Sequence, residues 1–175
     1  MASAGEEKAI SILLIEDNRL FRAGLTGLLK KQKGLKLIAA SDQPEGISQF
    51  APLLRPDVVL LDLGLGDRGS LEAVRGIRVT YPQARLIVMG LIPAVSEILG
   101  LMKQGVSGFV LKDGSIIEFV ATIRAVAAGQ RVFPASLTDS LFSQIVDDAA
   151  RTGKLGFTDV KMPAREREIV ALIAE

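Results

Sequence analysis

The sequence predicts an α/β fold in which five parallel strands form a doubly wound sheet covered by helices on both faces. Short apolar segments of strand length, about four to six residues, recur through the first two thirds of the 175 residues. They do not alternate with polar residues, which is typical of parallel strands buried on both faces. Helical patterns separate them, and this alternation indicates a doubly wound sheet. The predicted strands are residues 11–15, 35–40, 58–61, 86–89 and 109–111.

Apolar residues at helical spacing predict the helices between these strands. In the first helix, Leu20, Phe21, Leu25, Leu28 and Leu29 are predicted to share one face. The other predicted helices show the same kind of stripe and cover residues 71–78, 95–102 and 116–127. Pro82 fits the end of the second of these four helices, because proline does not continue a helix.

The composition limits the chemistry that this chain can perform. The sequence contains no cysteine and no histidine, which excludes disulfides, thiolate nucleophiles, imidazole bases and the usual zinc sites. Acidic and basic residues number 20 and 21, so the charge balance indicates no general affinity for polyanions. Any metal site must therefore use oxygen ligands.

The sequence shows no targeting or membrane segment. Its apolar runs fall far short of the roughly 20 residues of a spanning helix, and residues 1–9 contain no hydrophobic signal-peptide core. We therefore expect a cytoplasmic protein with no membrane association. Residues 1–9 are expected to form a flexible N-terminus, and residues 10–130 are expected to form the sheet domain.

After Gly129 the alternation of strands and helices stops. Pro134 opens an amphipathic segment at residues 135–150, which predicts a linker helix outside the sheet. A connection follows, and a further helix begins at Met162 and Pro163. We therefore predict a linker helix with its connection at residues 131–160 and the first helix of a truncated helical domain at residues 161–175.

Charged residues stand at the carboxyl ends of three predicted strands. Glu16 and Asp17 follow the first strand, Asp62 ends the third, and Lys112 follows the fifth. A doubly wound sheet binds its ligands at this edge. If the strand order is flavodoxin-like, these four side chains converge on one pocket.

Such a pocket predicts a cofactor and a reaction. Carboxylates that repel one another are stabilised by a hard divalent cation, and Mg²⁺ prefers a few carboxylates together with water and a phosphate oxygen. With its charge neutralised by Mg²⁺ and Lys112, Asp62 can attack a phosphoryl donor and hold an acyl phosphate. We expect a signalling protein rather than a turnover enzyme.

Three runs of this sequence closely resemble two-component receiver domains. They are ILLIEDN at residues 12–18, PDVVLLDL at 56–63 and GFVLKD at 108–113. The resemblance covers roughly residues 10–129, and the order and spacing of the runs make it specific. The tail MPAREREIVALIAE, residues 162–175, is similar to the first helix of a LuxR-type helix-turn-helix domain. Together these features resemble the NarL/FixJ class of transcriptional response regulators.

The resemblance assigns roles to residues and names partners. It implies that Asp62 is the phosphoacceptor, that Glu16 and Asp17 bind the metal with Asp62, and that Lys112 contacts the phosphoryl group. Phe109 matches the aromatic switch position. A cognate histidine kinase is the expected donor, since this chain has no histidine of its own. A homodimer is expected, with DNA bound only through the full-length C-terminal domain.

Two departures from the receiver pattern leave the mode of signalling open. Gly90 stands at the end of the fourth strand, where receivers usually have the threonine or serine that holds a phosphoryl oxygen. Losing such a hydrogen bond costs about 1.5 to 3 kcal/mol. A glycine-rich loop at residues 64–69 replaces the usual Met-Pro. The chain is therefore either a phosphorylation switch or an atypical receiver that dimerises or binds a partner independently of phosphate.

Two other protein classes fit the sequence less well. A phosphatase of the haloacid-dehalogenase type needs a second aspartate two residues beyond the nucleophile, and that position is Gly64. A flavodoxin needs a hydroxyl-rich phosphate loop after the first strand, and residues 18–20 do not form one.

Overall fold

The computed structural model describes residues 8–44, 53–64, 70–90, 95–135, 138 and 143. The chain divides into two compact units, Met1–Asp139 and Ser140–Glu175. The first unit contains the sheet. Of the second unit only residue 143 is described.

The sheet consists of five parallel strands in the order β2-β1-β3-β4-β5, which confirms the predicted fold class. Each predicted strand lies within an observed one, and the observed strands extend it by no more than one residue at either end. The chain crosses over after β2 to bring β3 to the other side of β1. The strands are β1 (Ile10–Ile15), β2 (Leu35–Ser41), β3 (Val58–Asp62), β4 (Arg85–Gly90) and β5 (Gly108–Leu111).

The described residues include four helices, of which three connect strands and the fourth follows β5. They are α1 (Arg19–Lys30), α2 (Ser70–Thr80), α3 (Val95–Lys103) and α4 (Ile116–Ala127). Asn18 caps α1, and Ser115 caps α4 in a capping box with Glu118. Residues 45–52, within the connection from β2 to β3, lie outside the described part of the chain.

The core is centred on β1 and β3, because helices cover both faces of these strands. Every residue of β3 is buried, as is the second half of β1. One face packs against Leu25 and Leu29 of α1 and against the buried side of α4. Successive side chains of a strand point to opposite faces of the sheet, so the intervening residues face the other side. There α2 and α3 bury their own apolar residues. These are Val74, Ile77, Ile98 and Leu101.

The prediction that Leu20 shares the apolar face of α1 is wrong. Leu25 and Leu29 are buried, whereas Leu20 is 84% exposed. With 100° between successive helical residues, Leu20 lies about 140° around the helix from Leu25. Its side chain therefore points away from the sheet that the other residues contact.

The C-terminal predictions fall mostly on residues outside the described part. Ala135, Thr138 and Ser143 are helical, and all three belong to the predicted linker helix. The rest of that helix, residues 161–175 and residues 1–7 of the predicted flexible N-terminus lie outside the described residues, so the domain boundaries stay predictions. No helix in the described part of the chain combines the length and the apolar character needed to cross a membrane.

Asp57 ties the start of β3 to the start of β1. Its Oδ2 accepts hydrogen bonds from the backbone N–H of Ser11 at 2.8 Å and from the Ser11 hydroxyl at 2.6 Å. Burial would raise the pKa of Asp57, but the hydrogen bonds from Ser11 and the charge of Lys8 outweigh it, so this pKa lies below its ordinary value of 3.8.

Replacing Asp57→Asn is expected to lower the free energy of unfolding by about 1 kcal/mol at pH 7, because the charged acceptor is lost at a partly exposed site. A lowered folded-state pKa stabilises the protein above the ordinary pKa, and this contribution is lost as the pH falls through the folded value. Urea denaturation at pH 7 and at pH 2.5 checks this. The difference between parent and variant should shrink at the lower pH, and an equal difference at both would contradict the assignment.

Candidate functional site

The charged residues singled out from the sequence meet at the carboxyl edge of the sheet. Glu16 directly follows β1, Asp62 is the last residue of β3, and Lys112 directly follows β5. Since β4 lies between β3 and β5, the side chain of Lys112 reaches Asp62 across the end of β4. The fifth strand therefore contributes to the pocket although it is not a neighbour of the third.

Lys112 joins two buried carboxylates. Its Nζ lies 2.8 Å from Asp62 Oδ1 and 3.0 Å from Glu16 Oε2, and it donates a hydrogen bond to Glu16 Oε1 at 3.2 Å. The side chains of Glu16 and Asp62 are 0% and 2% exposed, and that of Lys112 is 22% exposed. The ammonium also lies 5.0 Å from the centroid of the Phe21 ring, within range of a cation–π interaction.

Burial and neighbouring charges shift the pKa values in this pocket. Burial raises the pKa of Glu16, as does the charge of Asp62, and the contacts with Lys112 only partly oppose this. For Lys112, burial acts to lower the pKa, but the hydrogen bonds and charges of Asp62 and Glu16 outweigh it and raise the pKa. Lys112 therefore stays protonated at neutral pH.

Glu16, Asp17 and Asp62 form an acidic cluster that fits a metal ion. Each offers a carboxylate oxygen, and these atoms lie within 4.8 Å of one another. Asp17 is exposed, so the cluster opens to solvent. Glu16 Oε2 is buried and makes no hydrogen bond within the described residues, although Lys112 lies at ion-pair distance. Three carboxylates facing one ammonium leave negative charge for a hard cation to neutralise.

Backbone and capping contacts, which the sequence analysis did not identify, hold these carboxylates in place. The backbone N–H of Asn18 donates to Glu16 Oε1 at 3.1 Å, while the Asn18 side chain caps α1. The guanidinium of Arg22 donates to the backbone carbonyls of Glu16 and Asp17. The backbone N–H of Gly64 donates to Asp62 Oδ1 at 3.0 Å. Of these contacts, only the capping role of Asn18 could have been predicted from the sequence, because asparagine is a favoured N-cap residue.

Comparison with known proteins decides the family. The response regulator receiver domain family matches residues 12–124. This chain belongs to the response regulator receiver family. The acidic cluster and Lys112 therefore lie within the receiver domain.

Relatives of this chain include response regulators and a transcriptional regulatory protein. The transcriptional regulatory protein DegU of Brevibacillus brevis is 24% identical over 180 residues, which covers 97% of this chain and 76% of DegU. The response regulator GacA of Pseudomonas aeruginosa is 32% identical over 132 residues, covering 75% of this chain and 62% of GacA. The crystal structure of a LuxR-family two-component response regulator from Aurantimonas sp. SI85-9A1 has a TM-score of 0.71 and 26% identity, and the match covers 79% of this chain and 99% of that one.

These comparisons confirm the predicted resemblance to the NarL/FixJ class. The chain is a two-component response regulator of the kind that controls transcription. The match spans only 62% of the length of GacA.

The two predicted switch positions of the receiver lie on β4 and β5. Gly90 is buried at the end of β4, and its carbonyl accepts the backbone N–H of Lys112 at 2.9 Å. Phe109 is 2% exposed within β5. Its burial is what a core aromatic requires, and its role in switching stays a prediction.

Replacing Lys112→Met is expected to lower the free energy of unfolding by about 3 kcal/mol in metal-free buffer, because Glu16 and Asp62 would be left buried without their cation. Chemical denaturation at pH 8 measures this. Lys36→Met is the matched control, since Lys36 is exposed on β2. Equal losses in the two variants would show that the Lys112 ion pairs do not stabilise the fold.

Proposed function

We propose that this response regulator accepts a phosphoryl group on Asp62, and that the modification controls dimerisation and transcription by the full-length protein. The observation that carries the proposal is the environment of one carboxylate. Lys112 Nζ and the backbone N–H of Gly64 both approach Asp62 Oδ1, at 2.8 and 3.0 Å. These contacts orient the Asp62 carboxylate within the pocket.

The residues around Asp62 can perform phosphoryl transfer. An Asp62 oxygen bonds to phosphorus while the bond from phosphorus to the donor's leaving group breaks, and the leaving group departs with the electron pair. Catalysis of this reaction consists mainly of positioning and charge stabilisation. Lys112, held protonated by its two carboxylate neighbours, supplies a positive charge to the phosphoryl oxygens.

Mg²⁺ is the proposed cofactor, and Glu16, Asp17 and Asp62 are the residues that would hold it. The close approach of their oxygens and the excess of three carboxylates over the one ammonium of Lys112 support this assignment. When bound, the ion would neutralise the carboxylates and the charge of the phosphoryl group.

The proposal includes partners and domains that lie beyond the receiver. A cognate histidine kinase supplies the phosphoryl group in the cytoplasm. The linker region, residues 131–160, mediates homodimer formation, and residues 161–175 begin a LuxR-type domain through which the full-length protein binds DNA. Family membership and the match of DegU to 97% of this chain support this organisation.

The alternative, an atypical receiver that acts independently of phosphate, is not favoured. The acidic cluster and the Lys112 contacts are both present, and the related proteins are response regulators. A phosphate-independent interaction would not require this convergence of charges at the end of the sheet.

Incubation with Mg²⁺ and acetyl phosphate is expected to add the mass of one phosphoryl group to the parent protein, as measured by intact mass spectrometry at short times. The reason is that the small donor needs only the nucleophile, the metal and Lys112. Asp62→Asn is the control, and it should gain no mass because the amide is not a nucleophile. An excess of EDTA should also abolish the adduct.

Two results would contradict the proposal. One is a parent protein that gains no phosphoryl group over a range of donor concentrations. The other is an adduct that forms equally in Asp62→Asn, which would place the acceptor elsewhere.

A further inference from the structure

Positive charge is concentrated at the amino edge of the sheet, opposite the acidic cluster. The parallel strands all begin at this edge, and the helices that run back between them end there. An exposed cation stands where the chain approaches each strand, and another follows α4. The basic edge consists of Lys8, Lys33, Arg55, Arg85, Lys103 and Arg131.

Carboxylates are almost absent from the basic edge. Within the described residues only Asp57 lies there, where it accepts hydrogen bonds from Ser11 and its Oδ1 lies 3.6 Å from Lys8 Nζ. The other described carboxylates follow strands or stand in the first turns of helices, at the carboxyl edge. The nearly balanced total of acidic and basic residues therefore conceals a separation of charge between the two edges of the sheet.

Two guanidinium groups lie close together at this edge. Arg78, near the end of α2, donates to the backbone carbonyls of Ala84 and Gly105, which are neutral acceptors. Burial lowers the pKa of Arg78, and the charge of Arg131 lowers it further. None of the ion pairs within the described residues involves either arginine. An anion that contacts Arg131 from outside the chain would relieve this repulsion.

The extent of the basic edge suits the phosphates of duplex DNA. Neighbouring strands lie about 4.8 Å apart, so the five strands spread their cations over about 20 Å. Duplex DNA carries one negative charge about every 1.7 Å along its axis, and a row of this length therefore meets several phosphates. Three of the six cations are arginines, whose guanidinium groups bind two phosphate oxygens at once.

The course of the chain also favours DNA as the partner. Val132 pairs with Gly108, the first residue of β5, so the chain leaves the sheet at the basic edge. The linker that starts there connects it to the segment proposed to begin the DNA-binding domain. A response regulator that controls transcription could thus engage the same DNA at two places on one chain, which raises its affinity.

We propose that the basic edge binds the phosphate backbone of duplex DNA, so that the receiver itself adds a sequence-independent contact. This goes beyond the proposed function, which assigns DNA binding to the C-terminal domain. It also reverses two expectations drawn from the sequence, namely that DNA is bound only through that domain and that balanced charge excludes affinity for polyanions. Neither Asp62 nor Mg²⁺ takes part in the contact.

Fluorescence anisotropy of a short labelled duplex, titrated with the 175-residue chain at salt concentrations between about 50 and 200 mM, tests the inference. The basic-edge variant is Arg85→Glu/Arg131→Glu. The matched control is Arg19→Glu/Arg75→Glu, which changes the net charge by the same amount at exposed positions outside the basic edge. Circular dichroism confirms that both variants are folded.

The parent is expected to bind the duplex, and its dissociation constant should rise steeply with salt, because cations that contact phosphates release counterions. The basic-edge variant is expected to bind at least about tenfold more weakly and with a shallower salt dependence, since two phosphate contacts are replaced by repulsion. The control should stay close to the parent at about 150 mM salt, where charges distant from the contact are screened.

Three outcomes would overturn the inference. A parent that binds no duplex even at about 50 mM salt has no such surface. Equal weakening of the two variants would show that net charge alone governs binding. Self-association of the parent in sedimentation velocity, lost in the basic-edge variant and without DNA binding, would assign this edge to the acidic edge of a second copy. Since the protein is unphosphorylated and no Mg²⁺ is added, every outcome is independent of whether Asp62 accepts a phosphoryl group.

Discussion

The proximity of two buried carboxylates to a single ammonium group is the constraint on which the site depends. Glu16 and Asp62 are almost completely buried, and Lys112 contacts both. Buried like charges are unfavourable unless cations and hydrogen bonds compensate them. Lys112 balances one of the two negative charges, and backbone N–H groups donate hydrogen bonds to both carboxylates. Asp17 adds a third negative charge at the exposed side of the cluster. The remaining charge makes this edge of the sheet receptive to a divalent cation and to chemistry at an oxygen nucleophile.

The strand order of the sheet brings these charged side chains together. Because β1 and β3 are adjacent and parallel, the residues at their carboxyl ends are forced together, and the buried position of both strands removes these residues from water. The cation comes from β5, beyond β4, on a side chain long enough to cross the end of that strand. Close to Asp62, the backbone N–H of Gly64 and the ammonium of Lys112 both contact the Asp62 carboxylate. Core packing and site geometry are thus consequences of the same strand order.

The sequence predicted those parts of the structure that periodicity and residue type encode. Continuous apolar runs located all five strands, and the charged residues at their ends identified Glu16, Asp17, Asp62 and Lys112. Leu20 was misplaced because an approximate helical stripe does not resolve which side of the helix faces the sheet. The roles of Gly64 and Arg22 could not be predicted. Gly64 donates from its backbone N–H and the Arg22 side chain donates to backbone carbonyls, and the positions of these backbone groups depend on the folded chain.

The central claim is that the acidic cluster binds one divalent cation, and calorimetric titration with Mg²⁺ tests it most directly. The parent is expected to bind one ion per chain. Asp17→Asn is expected to bind it at least about tenfold more weakly, because a charged carboxylate ligand becomes a neutral amide at an exposed position whose replacement leaves the core intact. Asp42→Asn, which removes an exposed carboxylate outside the cluster, should bind like the parent. The absence of binding by the parent, or equal affinities in parent and Asp17→Asn, would contradict this account of the site.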